Sequence, residues 1–224
     1  MIGPSEKSAR ILAELQAFMS EHIYPNEVAH QETLAGADNR FASMPLVESL
    51  KDKARAVGLW NLFVPPEYAE YSDHGGMSFL DYAPLAEEMG RVIWCPEVFN
   101  CNAPDTGNME VLMKFGTESQ KATWLQPLLA GEIRSSYAMT EPQVASSDAT
   151  NIQLDIRREG DEWVLNGHKW FITGAPYERC KIFIVMGKSD AENPNRHLQQ
   201  TQILVPKNTP GVEVLRPLTT LGYD

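Results

Sequence analysis

No Gly-x-Gly-x-x-Gly pattern follows a strand-like segment in the 224 residues, so the phosphate-binding signature of a Rossmann fold is missing. Cysteine is scarce: Cys95, Cys101 and Cys180 are odd in number and lack metal-ligand spacing, which points to reduced thiols rather than a disulfide framework or a metal site. His22 and His30 have no partners at ligand spacing, and His168 belongs to a turn that should be exposed. No run of 18 apolar residues exists, so no membrane-spanning helix is expected. The opening residues from Met1 to Lys7 carry no apolar segment of signal-peptide type. A bacterial cytoplasm or an organelle matrix is the compartment these features suggest. Positive charge is in deficit, with 19 Lys and Arg against 30 Asp and Glu and a net charge of −11. That balance disfavours nucleic acid and anionic membranes as partners. It does not disfavour an anionic cofactor, which local donors can hold. No internal repeat or low-complexity tract is present.

What the chain does have is an ordinary globular composition, 43% hydrophobic and 22% charged, at a length suited to one large or two modest domains. The first part reads as helical. After Ser5, residues Ile11, Leu12, Leu15, Phe18 and Met19 recur at helical spacing up to Pro25. Leu46, Val47, Leu50, Ala54 and Val57 form a second run, stopped by Gly58. Ser78 can cap a third helix ending at Gly90, with Pro84 placed in its first turns. Further helices are expected over 106–115 and 118–129. Near Ile133 the period changes from 3.6 to 2. Ile152 to Arg157 alternates, Trp163 and Leu165 alternate back, and 181–186 reads as a buried strand. Gln202 to Pro206 and Val212 to Leu215 make two more, and polar 190–200 reads as a surface loop. The expected fold is therefore α+β, a helical domain over 1–132 and a small antiparallel β-barrel or sandwich over 133–224.

Two stretches of the second part carry the chemistry. In Tyr137-Ala-Met-Thr-Glu-Pro-Gln-Val-Ala-Ser-Ser-Asp148, a short strand breaks at Pro142 into a loop of small residues and hydroxyls. Such a loop lets backbone N–H groups and hydroxyls close on an anion. Asn166-Gly-His-Lys-Trp-Phe-Ile-Thr-Gly174 reads as a tight Asn-Gly turn into an aromatic strand ending in a hydroxyl and a glycine. Together they suit a planar, electron-poor ring tethered to a pyrophosphate, as in FAD. The same residues also read as plain turns and core aromatics, and the residue pattern alone leaves both readings open.

The pair resembles the flavin segments of the acyl-CoA dehydrogenases, with Met139-Thr140-Glu141-Pro142 to Ser147-Asp148 first and Asn166-Gly167, Lys169, Phe171-Ile172-Thr173 second. Ser146 departs from a common glycine, and Phe171 stands where many members have tryptophan. Tyr82 to Gly90, Ala103 to Glu110 and Phe115 to Lys121 are also similar to family stretches, of the branch with long-chain and multidomain members. The resemblance implies an FAD-dependent enzyme of fatty acid β-oxidation that removes the α proton and β hydride of an acyl-CoA. It implies that Met139, Thr140, Ile172 and Thr173 bond the flavin edge, that Phe171 packs the ring and that Tyr137 lines the cleft. Ser147 is implied where the flavin pyrophosphate and the coenzyme A arm meet, as a cofactor and substrate contact. Trp170 is expected in the core, and Glu141 is implied to be structural.

Members of this family continue through a C-terminal helical domain carrying the catalytic base. The resemblance therefore implies that no catalytic residue, and no metal ligand, lies in these 224 residues. It also implies a C-terminal half or partner subunit, an electron-accepting flavoprotein and a homo-oligomer. An acyl-CoA oxidase or flavin monooxygenase on the same scaffold is the alternative, followed by a non-catalytic binding module.

Overall fold

In the computed structural model of the protein, which describes residues 3–220, three of the helices begin at a side-chain cap. Residues 1, 2 and 221–224, the outer ends of the two expected domains, lie outside the described residues. Ser5 accepts from the Ser8 N–H and starts α1 (Glu6–Phe18), as Ser78 accepts from Asp81 N–H to start α4 (Phe79–Met89). Between them lie α2 (Glu27–Ala35) and α3 (Pro45–Ala56), the latter opening on a proline whose missing N–H costs nothing there. Short α5 (Cys95–Val98) precedes α6 (Asp105–Phe115). Then α7 (Glu118–Gln120), opened by a Thr117–Gln120 capping box, continues through a π-helical turn into α8 (Gln126–Leu129). Pro84 sits at the sixth position of α4, deeper than the expected first turns.

The chain divides into two compact units, Met1–Glu132 and Ile133–Asp224. In the helical unit α1 packs on α4, and Ile11, Leu15, Met19, Leu85 and Met89 are almost fully buried. The short α8 ends against a cluster of buried side-chain donors. Trp60 Nε1 and Asn61 Nδ2 donate to the Leu129 carbonyl at 2.8 and 3.0 Å. Asn100 Nδ2 donates to Leu128 O at 2.9 Å and to Asn61 Oδ1 at 2.7 Å. These bonds satisfy the Leu129 carbonyl, which the helix C-terminus leaves without a backbone partner, and add a second donor to Leu128 O beside the Gly131 N–H.

The second unit is built on one five-stranded sheet: β1 (Arg134–Ala138), β2 (Asp155–Glu159), β3 (Glu162–Asn166), β4 (Cys180–Lys188) and β5 (Gln200–Pro206). Strand β4 is its centre. It pairs antiparallel with β5 from Ile182 to Lys188, and β1 lies along its other edge until β2 meets it at Lys188. Flanked on both edges, β4 is buried from Ile182 to Val185. The sheet is mixed rather than antiparallel throughout, because β1 and β2 both run parallel to β4. The period-2 pattern carries no strand direction, and the long connection from Ala138 to Cys180 has the length a parallel crossover requires. Val212 to Leu215, expected as a strand, has no ladder partner among the described residues.

Gly187 on β4 has no room for a side chain. A Cβ there would lie 2.5 Å from Leu154 Cδ2 and 2.7 Å from both Ile156 Cγ1 and the Leu154 carbonyl oxygen. Leu154 thus lies flat on the sheet, from which its neighbours lead into the loops of the site.

Candidate functional site

The β1 strand ends at Ala138, and the chain leaves the sheet as Met139-Thr140-Glu141-Pro142. Where it goes next is fixed by Glu141, a buried carboxylate. Glu141 Oε1 accepts from the Leu154 N–H and Oε2 from the Gln153 N–H, both at 2.8 Å. Lys169 Nζ reaches the same carboxylate at 2.8 Å and also donates to the Met139 carbonyl at 2.8 Å. Burial pushes the Glu141 carboxyl up, but the bonds from Lys169, Leu154 and Gln153 outweigh it and hold the group below the usual glutamate range. Burial draws Lys169 below its ordinary value, against the pull of Glu141. The Glu141 N–H donates to Ser146 Oγ at 2.8 Å. Ser146 thus closes the loop from inside.

The second segment is not a strand. After β3 ends at Asn166, residues 167–174 run as irregular loop and turns. Gly167 is there for close approach: a Cβ would meet Leu154 side-chain atoms at 2.8 and 2.9 Å and its Cα at 3.0 Å. The chain is then tied to the first segment twice by its backbone. The Trp170 N–H donates to the Thr140 carbonyl at 3.0 Å, and Ser136 Oγ on β1 donates to the Thr173 carbonyl at 2.9 Å. Between these ties Phe171 takes a left-handed backbone, φ 51°, which no strand residue adopts.

The structure therefore brings the two segments together. Tyr137 is half-buried on β1, opposite Ile184, and burial pushes its phenol up. Met139 is half-buried, and Ile172 packs on the core with Leu154, Ile156 and Phe183. Thr140, Phe171 and Thr173 are exposed, Phe171 by 50%. Trp170 is 38% exposed and meets Phe171 edge-on at 4.9 Å, so it is not core. Ser147 is exposed on the turn that follows Ser146. The next residue, Asp148, accepts from the Thr150 hydroxyl and N–H, and Arg196 also bonds the Thr150 hydroxyl. Among the described residues, the hydroxyls of Thr140, Ser147 and Thr173 find no partner. The result is an exposed pair of aromatic rings beside uncommitted hydroxyls, resting on a buried and fully bonded carboxylate.

Sequence reasoning missed Ser136, Ser146 and the Lys169–Glu141 pair. Their partners lie up to 44 residues away, and no periodicity announces such contacts. Among the described residues, no helix is long and apolar enough to cross a membrane, and no group of three His, Cys, Asp or Glu side chains could hold a metal.

Residues 5–132 match the model of the acyl-CoA dehydrogenase N-terminal domain, and residues 136–224 that of the middle domain. The chain is 49% identical to acyl-CoA dehydrogenase family member 10 of Mus musculus, over 99% of this chain and 21% of that protein. It is 46% identical to family member 11 of Homo sapiens, over 98% of this chain and 28% of that protein. A solved structure from Mycobacterium abscessus, assigned to the acyl-CoA dehydrogenases, superposes with a TM-score of 0.90 at 47% identity, covering 99% of this chain and 55% of that one. A glutaryl-CoA dehydrogenase from Mycobacterium smegmatis in complex with FADH2 shares the fold, with a TM-score of 0.65 at 21% identity over 92% of this chain and 47% of that one. The chain thus spans between about a fifth and a little over half of the proteins it matches.

Proposed function

The chain belongs to the acyl-CoA dehydrogenase family, and from that premise we propose that its β unit carries the flavin- and thioester-facing surface of an FAD-dependent α,β-dehydrogenase of acyl-CoA esters. The observation that carries this reading is the exposed aromatic and hydroxyl surface assembled from two segments held together through Glu141 and Lys169. These residues fit FAD: flat rings at Trp170 and Phe171, uncommitted hydroxyls at Thr140 and Thr173, and Ser147 on a small-residue turn. When bound, FAD supplies the two-electron acceptor for hydride from the β carbon.

The chain's own residues then bind and orient. The Thr140 and Thr173 hydroxyls, with the Met139 and Ile172 N–H groups, would face the edge of the ring. Phe171 would cover one side of it, and Tyr137 would line the cleft. Ser147 would serve both the pyrophosphate and the coenzyme A arm. Fixing ring and thioester in one geometry is what this chemistry asks of a protein. Taking the α proton is a separate task, and Glu141 cannot do it, because Lys169, Leu154 and Gln153 occupy its oxygens. The reading therefore draws the base from the C-terminal part that family members carry, outside residues 1–224. It also takes a fatty acyl-CoA as substrate, a flavoprotein as electron acceptor and a homo-oligomer as the working state.

Dye reduction tests the proposal. Residues 1–224 with FAD, an acyl-CoA and an artificial acceptor should show no turnover above background. Addition of the C-terminal part of a family member, joined or separate, should give acyl-CoA-dependent reduction. Turnover by residues 1–224 alone would overturn the assignment of the base.

A further inference from the structure

The Lys169 ammonium and Glu141 carboxylate lie 2.8 Å apart with side chains only 9% and 3% exposed. A buried ion pair gives little stability over apolar residues of the same volume, so stability alone does not account for this one. What the pair does geometrically is specific. One lysine nitrogen fixes the Met139 carbonyl, and the carboxylate beside it fixes the N–H groups of Gln153 and Leu154. Lys169 is also the residue before Trp170, whose N–H holds the Thr140 carbonyl at 3.0 Å. The Met139–Thr140 peptide is thus gripped at both carbonyls by consecutive residues of the other segment. A point charge with rotatable donors can reach a carbonyl and a carboxylate at once, which no apolar side chain can.

We propose that Lys169, braced by Glu141, is a positioning residue that sets the register between the Met139–Thr140 and Phe171–Thr173 segments and so shapes the edge that receives the planar ligand. It touches no ligand itself. The inference rests on the flavin reading for the identity of that ligand, but the register of the two segments can be measured without it.

The experiment compares the 224-residue chain with Lys169→Met and with the double variant Lys169→Met/Glu141→Gln. Amide hydrogen exchange is read without flavin, FAD uptake by titration and stability from the thermal midpoint. Lys169→Met should speed exchange at the Trp170 amide and in 138–141 by about tenfold, the equivalent of one charge-assisted hydrogen bond, and leave the amides of β4 and β5 unchanged. Its FAD half-saturation should rise by about the same factor. The double variant removes the stranded carboxylate and should recover most of the thermal midpoint, while exchange and FAD uptake stay impaired.

Recovery of all three together would show that the pair is merely structural and overturn the proposal. So would a rise in exchange spread evenly over β4 and β5, or no change in Lys169→Met. If the unaltered chain takes up no FAD even with the C-terminal part of a family member added, the flavin reading fails, and the confinement of the exchange change to the two segments still decides the role of Lys169.

Discussion

Both units hold residues in left-handed backbone, and they fill those positions differently. The helical unit places Asn61 and Asn100 there, each at φ 53°, and both are buried. Asparagine tolerates this conformation, and the two side chains use it to bond one another and the carbonyls closing α8. The β unit places Phe171 there at φ 51°, half exposed, a bulky residue with no side-chain hydrogen bond to gain. In the first unit the unusual backbone serves the fold. In the second it presents a ring outward, against the fold's preference, which is the kind of strain that collects at ligand sites. The same contrast runs through the buried polar groups: those around α8 end in the core, whereas Glu141 and Lys169 lie beneath an exposed surface.

The sharpest way to break the comparison is Asn100→Ala. It strands Asn61 Oδ1, leaves the Leu128 carbonyl with the Gly131 N–H alone and puts alanine in left-handed backbone. The expected cost is about 3 kcal/mol, read as a lower urea midpoint for the helical unit. A loss of FAD uptake without loss of stability would show that this network serves a ligand after all.

Acid should act on Glu141 and Glu110 in opposite directions. Hydrogen bonds hold the Glu141 carboxyl below its usual value, despite burial. Its stabilisation is therefore present above the ordinary glutamate pKa of about 4.3 and is lost as pH falls through the lowered folded-state value. In the helical unit, burial and then the nearby Glu67 raise Glu110. Its stabilisation is complete below the ordinary value and is lost as pH rises through the raised one. Chemical unfolding of each unit between pH 3 and pH 7, on the order of that pKa window, checks the signs. In Glu141→Gln the acid loss of the β unit should flatten, and in Glu110→Gln the helical unit should no longer weaken toward neutral pH.

Phe171→Gly should separate stability from binding. Glycine relieves the left-handed backbone, so the thermal stability of the β unit should hold or rise by up to about 1 kcal/mol. FAD uptake should fall because the ring is gone. Reduced stability with unchanged FAD uptake would mean that Phe171 is packing, and the contrast with Asn61 and Asn100 would disappear.

How far the sequence foretold all this depends on the range of the forces involved. Ser5, Ser78 and the Thr117–Gln120 box act within one helical turn, so the helix starts could be read locally. The β2 to β5 strands likewise followed from alternation and a buried apolar run. The segment from Gly167 to Gly174 looked like a strand because it is aromatic. Its conformation is set instead by Leu154 beneath Gly167, by the Trp170 N–H bond to the Thr140 carbonyl and by the bond from Ser136, all distant in sequence. Glu141 was legible as a polar residue beside the site, whereas its partner Lys169, 28 residues on, was not.

The smallest expected effect is also the most specific. Thr173 is tied to β1 through its carbonyl, which accepts from Ser136 Oγ, while its own hydroxyl is exposed and uncommitted among the described residues. Thr173→Ala removes that hydroxyl and leaves the tie intact, so the thermal midpoint should not move. If the hydroxyl bonds the flavin edge, FAD half-saturation should rise about fivefold, which corresponds to about 1 kcal/mol for one hydrogen bond. Thr173→Ser keeps the hydroxyl and should bind FAD as the unaltered chain does. Ser136→Ala is the contrasting change: it releases the Thr173 carbonyl and should lower both stability and FAD uptake. Equal FAD uptake by Thr173→Ala and the unaltered chain would remove Thr173 from the site and leave its exposed hydroxyl to solvent.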